Sequence, residues 1–393
     1  MFYIGIDVAK RKHSLAVIGE GGEKILTHYE FANTTEGFKE MLGKLTSLGI
    51  THENSRSCME STGHYGHALW SHLTDHGFEA CLANPMQTKN YARAQTIRKV
   101  KNDAIDALAL AQWLLIENPS ASSLSSEETA ELKSIARFRT FHSQIIGDSK
   151  RKVIAILDVS FPEYSGFFSD DFGKASLAVL SRYPSAFALS RAHIDALANL
   201  LEKNSRGKFG YEHAEALREL ARSSFGIGYA KEASAFQLKA LIAQIEFTKR
   251  QMRDAEVKME DLLAKAATPI KTIPGIGTVS AAIILGEIGD ISRFSKPSQL
   301  VAFAGYDPSV FQSGQFTGSK NHLSKRGSPY LRWALWLAAD RARMFDPVMR
   351  EYYEKKRSEG KCHKVAICAV ARKLCNVIFA VLSTNSAYIC KTA

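Results

Sequence analysis

Four carboxylates in the first third of the sequence have the types and spacing needed for chemistry on a phosphate. Asp7 lies near the end of a predicted strand over residues 2–8, and Glu60 ends a later predicted strand. Asp103 and Asp106 are three residues apart on a predicted helix, so their side chains project from the same side. Mg²⁺ prefers oxygen ligands and can bridge phosphate oxygens, so carboxylates gathered in this way can hold two such ions. The set therefore predicts Mg²⁺-dependent chemistry, because four like charges at short range repel strongly without a cation.

Each carboxylate also has an ordinary structural explanation. Asp7 could accept a hydrogen bond in a turn, and Glu60 could begin a helix. Asp103 could be a helix N-cap, with Asp106 in the first turn of the same helix. Any one of these acids is more often structural than catalytic. The four together, in this order and on this kind of fold, are much more specific.

The elements that must position these acids predict a mixed α/β domain over residues 1–118. Residues 2–8, 15–18 and 24–31 are predicted strands joined by tight turns, which suggests an antiparallel meander. A helix, a strand, a second helix, another strand and a helix over residues 103–115 follow. The order β-β-β-α-β-α-β-α describes a mixed α/β domain. Its first part, β-β-β-α-β-α with an acid in the first strand, is typical of an RNase H-like fold.

The central residues 119–268 lose the strand pattern and predict a coiled coil. A heptad seam continues for more than three repeats through Leu238, Leu241, Ile245, Thr248, Met252, Ala255, Met259 and Leu262. Its partner lies either in another protomer or in this chain, where an earlier helix could pack antiparallel through Leu132, Ile135, Phe138, Ile145 and Ile156. Prolines and glycines interrupt residues 159–232, for which we predict short helices.

Excess positive charge is confined to the C-terminal quarter of the chain. The formal net charge is +11; residues 293–393 hold 17 Lys and Arg against 6 Asp and Glu, whereas the preceding residues hold 34 of each. Such a charge distribution favours a surface that faces a polyanion, most simply nucleic acid. A solvated basic face explains this feature equally well when it is taken alone. We expect residues 269–393 to form a basic helical domain.

Several segments at both ends of the chain resemble one known family. Residues 5–10 (GIDVAK), 59–65 (MESTGHY) and 101–107 (KNDAIDA) look like the DEDD motif of insertion-sequence transposases related to the Piv DNA invertases. Five later segments resemble the C-terminal block of this family: residues 273–277 (IPGIG), 302–308 (AFAGYDP), 313–314 (SG), 323–327 (LSKRG) and 331–332 (LR). The resemblance implies an N-terminal domain similar to the RuvC resolvase, a central coiled coil and a C-terminal transposase domain.

The resemblance also implies a reaction. Members of the family use one serine of the C-terminal domain as the nucleophile, and the residue that matches it is Ser313, with Ser319 second and with Ser324 and Ser328 close by. Its Oγ would attack a scissile phosphodiester, form a phosphoserine and free a 3′-hydroxyl, so strand exchange would need no ATP. The four carboxylates would hold Mg²⁺ against the phosphate.

Partners follow from the same resemblance. Members are thought to act as homodimers that pair into tetramers, in which a coiled coil can place the serine domain of one protomer over the carboxylates of another. They also use a structured non-coding RNA, called a bridge or seeker RNA, that pairs with donor and target DNA. Guidance of this kind leaves the protein to bind nucleic-acid backbones.

The turn at residues 273–277 is similar to the hairpin of a helix-hairpin-helix, which presents backbone N–H groups to a phosphate. A plain turn between two helices is the alternative. We predict that the nucleic-acid contacts of the C-terminal domain include Gly275, Gly277, Lys320, Lys325, Arg326 and Arg332.

Three other functions compete with a guided recombinase. A metal-dependent, structure-specific nuclease would use the same carboxylates with water as the nucleophile. A non-catalytic coiled-coil DNA-binding protein would need none of them. An actin-like kinase also carries Gly-Ile-Asp in its first strand, but its second phosphate loop and adenosine motif are not found.

Cysteine usage and hydropathy favour a cytoplasmic protein, and the resemblance implies a bacterial, nucleoid-associated one. The six cysteines form no Cys-x-x-Cys pair, so we expect reduced thiols. The N-terminal residues lack a basic leader and a long apolar core, so we expect no signal peptide. No run of about 20 apolar residues occurs, so we expect no membrane span.

Overall fold

Short apolar runs near the N-terminus form a five-stranded mixed sheet. The computed structural model describes residues 1–61, 63–95, 102–121, 126–308, 312–313, 316–317 and 322–390. The strands are β1 (Phe2–Asp7), β2 (Lys12–Gly19), β3 (Lys24–Ala32), β4 (Ser55–Glu60) and β5 (Glu79–Ala83). Their order is β3-β2-β1-β4-β5, with β1, β2 and β3 antiparallel and β4 and β5 parallel to β1. The predicted meander and strand sequence are confirmed.

Helices cover both faces of this sheet. They are α1 (Thr35–Ser47), α2 (His67–Asp75), α3 (Pro85–Gln95) and α4 (Asp103–Glu117). Side chains alternate between the faces of a strand, so Ile4 and Ile6 pack with α1 and α2 on one face, whereas Tyr3 packs with α4 on the other. The mixed α/β fold is therefore confirmed, and α3 was not predicted.

Gly5 determines how closely α4 approaches the sheet. A Cβ atom at this position would lie 2.0 Å from the carbonyl oxygen of Ala107 and 2.4 Å from the backbone nitrogen of Ala111. Both neighbours are backbone atoms of a buried helix face, so they cannot move without displacing α4. Only glycine lets α4 pack directly on β1.

Gly5→Ala should therefore destabilise the N-terminal unit. Forcing an extra methyl group into a well-packed core costs about 1–3 kcal/mol, and sometimes more. Gly43→Ala is the matched control, because Gly43 lies within α1 and its Cβ would meet no atom within 4 Å. Replacing glycine by alanine at an exposed helix position should raise the free energy of unfolding by roughly 0.5–1 kcal/mol. Urea unfolding of both variants measures these changes, and equal midpoints would contradict the close packing.

The remainder of the chain is mostly helical and forms a second compact unit. The two units are Met1–Leu124 and Ser125–Ala393. The second contains α5 (Glu127–Ser160), α6 (Lys174–Arg182), α7 (Ala186–Ser190), α8 (Ile194–Ser205), α9 (Tyr211–Arg222), α10 (Lys231–Ala266), α11 (Thr278–Ile288), α12 (Pro297–Ala304), β6 (Gln312–Ser313), β7 (Phe316–Thr317), α13 (Pro329–Phe345), α14 (Pro347–Ser358) and α15 (His363–Thr384). Four of these helices, α6 to α9, are the short helices predicted for residues 159–232.

The heptad helix α10 packs against α5 in the same chain. Leu132 near the start of α5 shares a core with Leu262 near the end of α10, and Val153 farther along α5 shares another with Ile242. The helices are therefore antiparallel, as predicted. The predicted face of α5 is right in part. Leu132 is buried, and Ile135 and Ile156 pack against the two cores, but Phe138 is 45% exposed. The buried residues of α5 are Leu132, Ala136, Ser149, Val153 and Leu157.

The C-terminal helix α15 is a core helix with the length and apolarity of a membrane span. By length and composition it could cross a bilayer, which the sequence analysis did not anticipate. In the structure its apolar side chains, including Ile367, Leu374 and Ile378, are buried in a core built with α11, α12 and α13. Packing within the unit therefore explains its apolar character. Leu132 and Leu262 of the two long helices belong to this same core. The boundary predicted between a coiled-coil region ending at residue 268 and a transposase domain beginning at residue 269 stays a prediction.

Candidate active site

Asp7 and Glu60 lie side by side at one edge of the sheet. In the parallel pairing of β1 with β4, Ile6 is opposite Met59, so Asp7 and Glu60 are the next residues on adjacent strands. Neighbouring strands are about 4.8 Å apart. Both side chains are on the face covered by α4, because they alternate in phase with Gly5 and Cys58, and both are partly buried. The sheet thus brings two acids together that are far apart in sequence.

The helix α4 runs antiparallel to β1 and starts at the same edge. Its middle contacts Gly5, whereas its end is held at Arg56, which donates to the side-chain oxygen of Asn118 and to the carbonyl of Pro119. Arg56 is opposite Tyr3, at the other end of β1 from Asp7. The first turn of α4, with Asp103 and Asp106, therefore points toward the Asp7 and Glu60 edge.

Local contacts hold the individual carboxylates in place. Thr88 of α3 donates from Oγ1 to Oε1 of Glu60 at 2.7 Å, and sequence reasoning missed it because α3 has no apolar periodicity. Asn102, not Asp103, is the N-cap of α4, and its side chain accepts from the Ala104 N–H at 2.9 Å. Asp103 is then the first helical residue, where negative charge is stabilised by the helix dipole.

A buried histidine holds the turn that follows Asp7. His13 is buried, and its Nδ1 accepts from the Ala9 N–H at 3.3 Å. Burial lowers the pKa of His13, so the ring is neutral near pH 7 and a ring nitrogen can act as an acceptor. The sequence offered no signal for this role, because a single His in a strand is usually unremarkable.

The donor set fits a hard divalent cation that a substrate phosphate helps to bind. Within the described ranges, no group of three or more His, Cys, Asp or Glu side chains is positioned to hold a metal ion. Mg²⁺ does not need such an enclosure, because it keeps several waters and is held by one or two carboxylates together with substrate phosphates. Asp7 and Glu60, on adjacent strands, supply two such carboxylates.

Ser313 lies in a β-hairpin of the second unit. β6 pairs antiparallel with β7, with Ser313 opposite Phe316, and Pro308 forms an antiparallel bridge to Leu323 nearer the base. We call the paired residues 308, 312–313, 316–317 and 323 the Ser313 hairpin. Ser313 is the last residue of β6.

The base of the Ser313 hairpin is held by hydrogen bonds. The Ser324 N–H donates to the Asp307 carbonyl at 2.9 Å, and Ser324 Oγ donates to Oδ1 of Asp307. Gly327 has φ +80°, and a Cβ there would lie 1.8 Å from the carbonyl oxygen of Phe303. This close approach explains why the residue is glycine. Ser324 therefore has a structural role.

A buried carboxylate links the start of α13, which follows the Ser313 hairpin in the chain, to the long helix α5. Glu287 is 4% exposed and accepts from Arg137 Nε at 2.6 Å, from Arg137 Nη2 at 3.0 Å and from Ser328 Oγ at 2.8 Å. The hydrogen bond to Glu287 raises the pKa of Arg137. Ser328 is also the N-cap of α13. Of the nearby serines, Ser324 and Ser328 are thus engaged, and Ser319 lies outside the described residues.

Two glycines were predicted to contact nucleic acid. Gly275 has a packing explanation, and Gly277 lies next to a residue that binds a carboxylate. Gly275 has φ +92°, and its Cβ would lie 2.5 Å from the backbone nitrogen of Ala342 in α13. Gly277 is the N-cap of α11, where Thr278 donates to the Glu260 carboxylate. The geometry favours an interhelical turn at Gly275, and a phosphate contact by either glycine stays a prediction.

The four predicted basic contacts differ in their surroundings. Lys325 and Arg326 are exposed next to the Ser313 hairpin. Arg332 is partly buried, and its Nη1 donates to the Ala304 carbonyl at 3.4 Å, near the end of α12. Lys320 lies outside the described residues. Contact of all four with nucleic acid stays a prediction.

Both ends of the chain match family models of transposases. Residues 4–162 match a model described as a transposase, of the IS110 DEDD type, and residues 267–354 match the transposase model of the IS116/IS110/IS902 family. The fold and these matches define the class as a DEDD transposase, a DNA-rearranging type of enzyme that implies a divalent metal. The chain belongs to the IS110/IS116/IS902 family of insertion-sequence transposases.

Similarity to individual proteins extends over almost the whole chain. The chain is 25% identical to the 44.8 kDa protein of insertion element IS116 from Streptomyces clavuligerus, covering 97% of this chain and 94% of the relative. It is also 25% identical to the 42 kDa protein of insertion element IS900 from Mycobacterium paratuberculosis, over 98% and 96%. Identity to the pilin gene-inverting protein of Moraxella bovis is 23%, over 98% and 96%.

Proposed function

We propose that this transposase cuts and rejoins DNA through a covalent phosphoserine at Ser313. Oγ of Ser313 attacks the scissile phosphorus, the Oγ–P bond forms, and the P–O3′ bond breaks with the proton ending on the 3′-hydroxyl. The energy of the phosphodiester is retained in the covalent link, so rejoining needs no ATP. The position of Ser313 at the end of β6 supports this role, because reactive groups are common on the segments that follow regular elements.

The carboxylate edge of the sheet carries the proposal. Asp7 and Glu60 are adjacent, and the first turn of α4 brings Asp103 and Asp106 toward them. In our proposal these four residues hold Mg²⁺, which supplies charge stabilisation at the phosphate when it is bound. In this proposal the N-terminal unit is a RuvC-like domain. Thr88 would keep Glu60 oriented for this task.

We also propose the partners and setting of the reaction. The protein acts on donor and target DNA as homodimers that pair into tetramers, in the bacterial cytoplasm at the nucleoid. A bridge or seeker RNA chooses the sites by base pairing, and the protein holds the backbones. The net charge of +11 and its concentration in the C-terminal quarter support binding of two kinds of nucleic acid.

Purification of the protein from its host should recover one discrete, structured RNA. Sequencing of the co-purified nucleic acid measures this, with an unrelated basic protein purified in parallel as the control for RNA retained by charge alone. Guided recombination predicts an RNA enriched only with the transposase. The same mixture of cellular RNAs in both samples would contradict guidance, although the DNA chemistry would stand.

A further inference from the structure

A surface cavity in the central helices concentrates positive charge where its surroundings are neutral. The cavity has a volume of about 520 Å³ and is lined by Lys174, Lys203, Asn204, Ser205 and Arg206. Residues 159–232 as a whole hold nine Lys and Arg and nine Asp and Glu. A neutral segment that places three cations in one cavity, and no carboxylate in its lining, has an uneven local potential that attracts anions.

The cations of this cavity lack counter-ions in the described structure. No salt bridge joins Lys174, Lys203 or Arg206 to a carboxylate among the described residues, whereas nearby Arg222 is paired with Glu219. Clustered like charges repel one another, and a bound anion would relieve that repulsion. The positive charge of the lining therefore favours the binding of an anionic ligand.

The helix α6 begins at one residue of the cavity lining. Lys174 is the first residue of α6, and its N-cap, Gly173, has no side chain that could cap the free N–H groups. Amide hydrogens at the start of a helix favour a phosphate. Among the described residues the lining has no aromatic ring on which a base could stack. The cavity thus suits a backbone phosphate and not a base.

We propose that this cavity binds a backbone phosphate of nucleic acid, independently of sequence and outside the catalytic site. The proposal rests on the proposed action of the protein on nucleic acid. DNA and RNA present the same phosphate, so the chemistry of the site is shared and its natural source is decided by experiment. The contact gives the central helices a role in holding the substrate or its guide.

The test is the double variant Lys174→Gln and Lys203→Gln in the full chain. Arg206 is left unchanged, because its φ of +59° would mix backbone strain into the result. Binding to a labelled DNA duplex and to a labelled RNA hairpin, both of random sequence, is measured by fluorescence anisotropy over a range of salt. Loss of the contacts to this one phosphate should reduce the slope of log K against log salt by about 0.9 for the duplex, and weaken binding about tenfold at moderate salt.

Two further variants keep the result interpretable. Lys203→Gln alone should give about half the change in slope. Lys152→Gln with Lys239→Gln removes the same charge from exposed positions on α5 and α10, and should change binding little. A loss confined to the DNA or to the RNA probe supports the cavity and names its source. Equal effects of the cavity and control pairs would overturn the cavity while the proposed function stands, whereas a wild-type protein that binds neither probe would overturn both.

Discussion

Ser313→Ala is expected to abolish the covalent protein–DNA adduct and to reduce strand exchange by a factor on the order of 10⁴ or more. The reason is chemical, since alanine has no oxygen to attack phosphorus and the carboxylates cannot replace a nucleophile. DNA binding should be nearly unchanged, because the substitution removes one hydroxyl from a hairpin and no charge. The adduct is measured with end-labelled DNA on a denaturing gel.

Ser319→Ala is the matched control, because Ser319 is the second candidate by position in the sequence. It should form adduct at close to the wild-type rate. Loss of the adduct in Ser319→Ala, with full activity in Ser313→Ala, would transfer the role to Ser319. Undiminished DNA cleavage by both variants would favour the nuclease that uses water, and the phosphoserine proposal would fail.

Asp103→Asn should reduce strand exchange by about 10²–10³-fold, because it removes a charge that helps to hold the metal at the phosphate. Asparagine keeps the size of the side chain and its place in the first turn of α4. The loss of a helix-dipole interaction costs only about 0.3–1 kcal/mol, so the unit should stay folded. Recombination and DNA binding are assayed separately, and a chelator such as EDTA should stop the reaction of the wild-type protein.

Asp75→Asn serves as the control, since Asp75 is an exposed acid at the end of α2 in the same unit. It should leave recombination unchanged. Two results would count against the metal role of Asp103: an equal drop in binding and in recombination, or strand exchange that continues in chelator. The first would point to an effect on binding, and the second to chemistry without a divalent ion.

Local sequence patterns were enough to predict most of the N-terminal unit. Alternating apolar residues and glycine turns gave β1, β2 and β3, and Asn84-Pro85 marked the end of β5. The first strand therefore placed Asp7 at its carboxyl end without any knowledge of tertiary contacts. The helix α3 escaped detection because its sequence is polar, and its contact with Glu60 through Thr88 exists only in three dimensions.

Helices with apolar residues on more than one face were harder to interpret, because the sequence does not show which face is covered. On α5, both the face through Leu132 and Val153 and the face through Phe138 carry apolar residues, and only packing against α10 showed which one is buried. The apolar helix α15 is similar, because its composition suits a membrane as well as a core. Burial depends on what covers a face, and the sequence of one helix does not contain that information.

The sequence by itself determined the order of the five strands of the sheet, the family and the residue types available for chemistry. The strands follow from short-range rules, since strand alternation, turns and helix caps act over only a few residues. The tertiary structure decided that Asp7 and Glu60 are neighbours, that α4 starts at their edge, and that Glu287 joins α5 to the start of α13. Those contacts join residues separated by tens of positions, and only the packing of the whole unit brings them together.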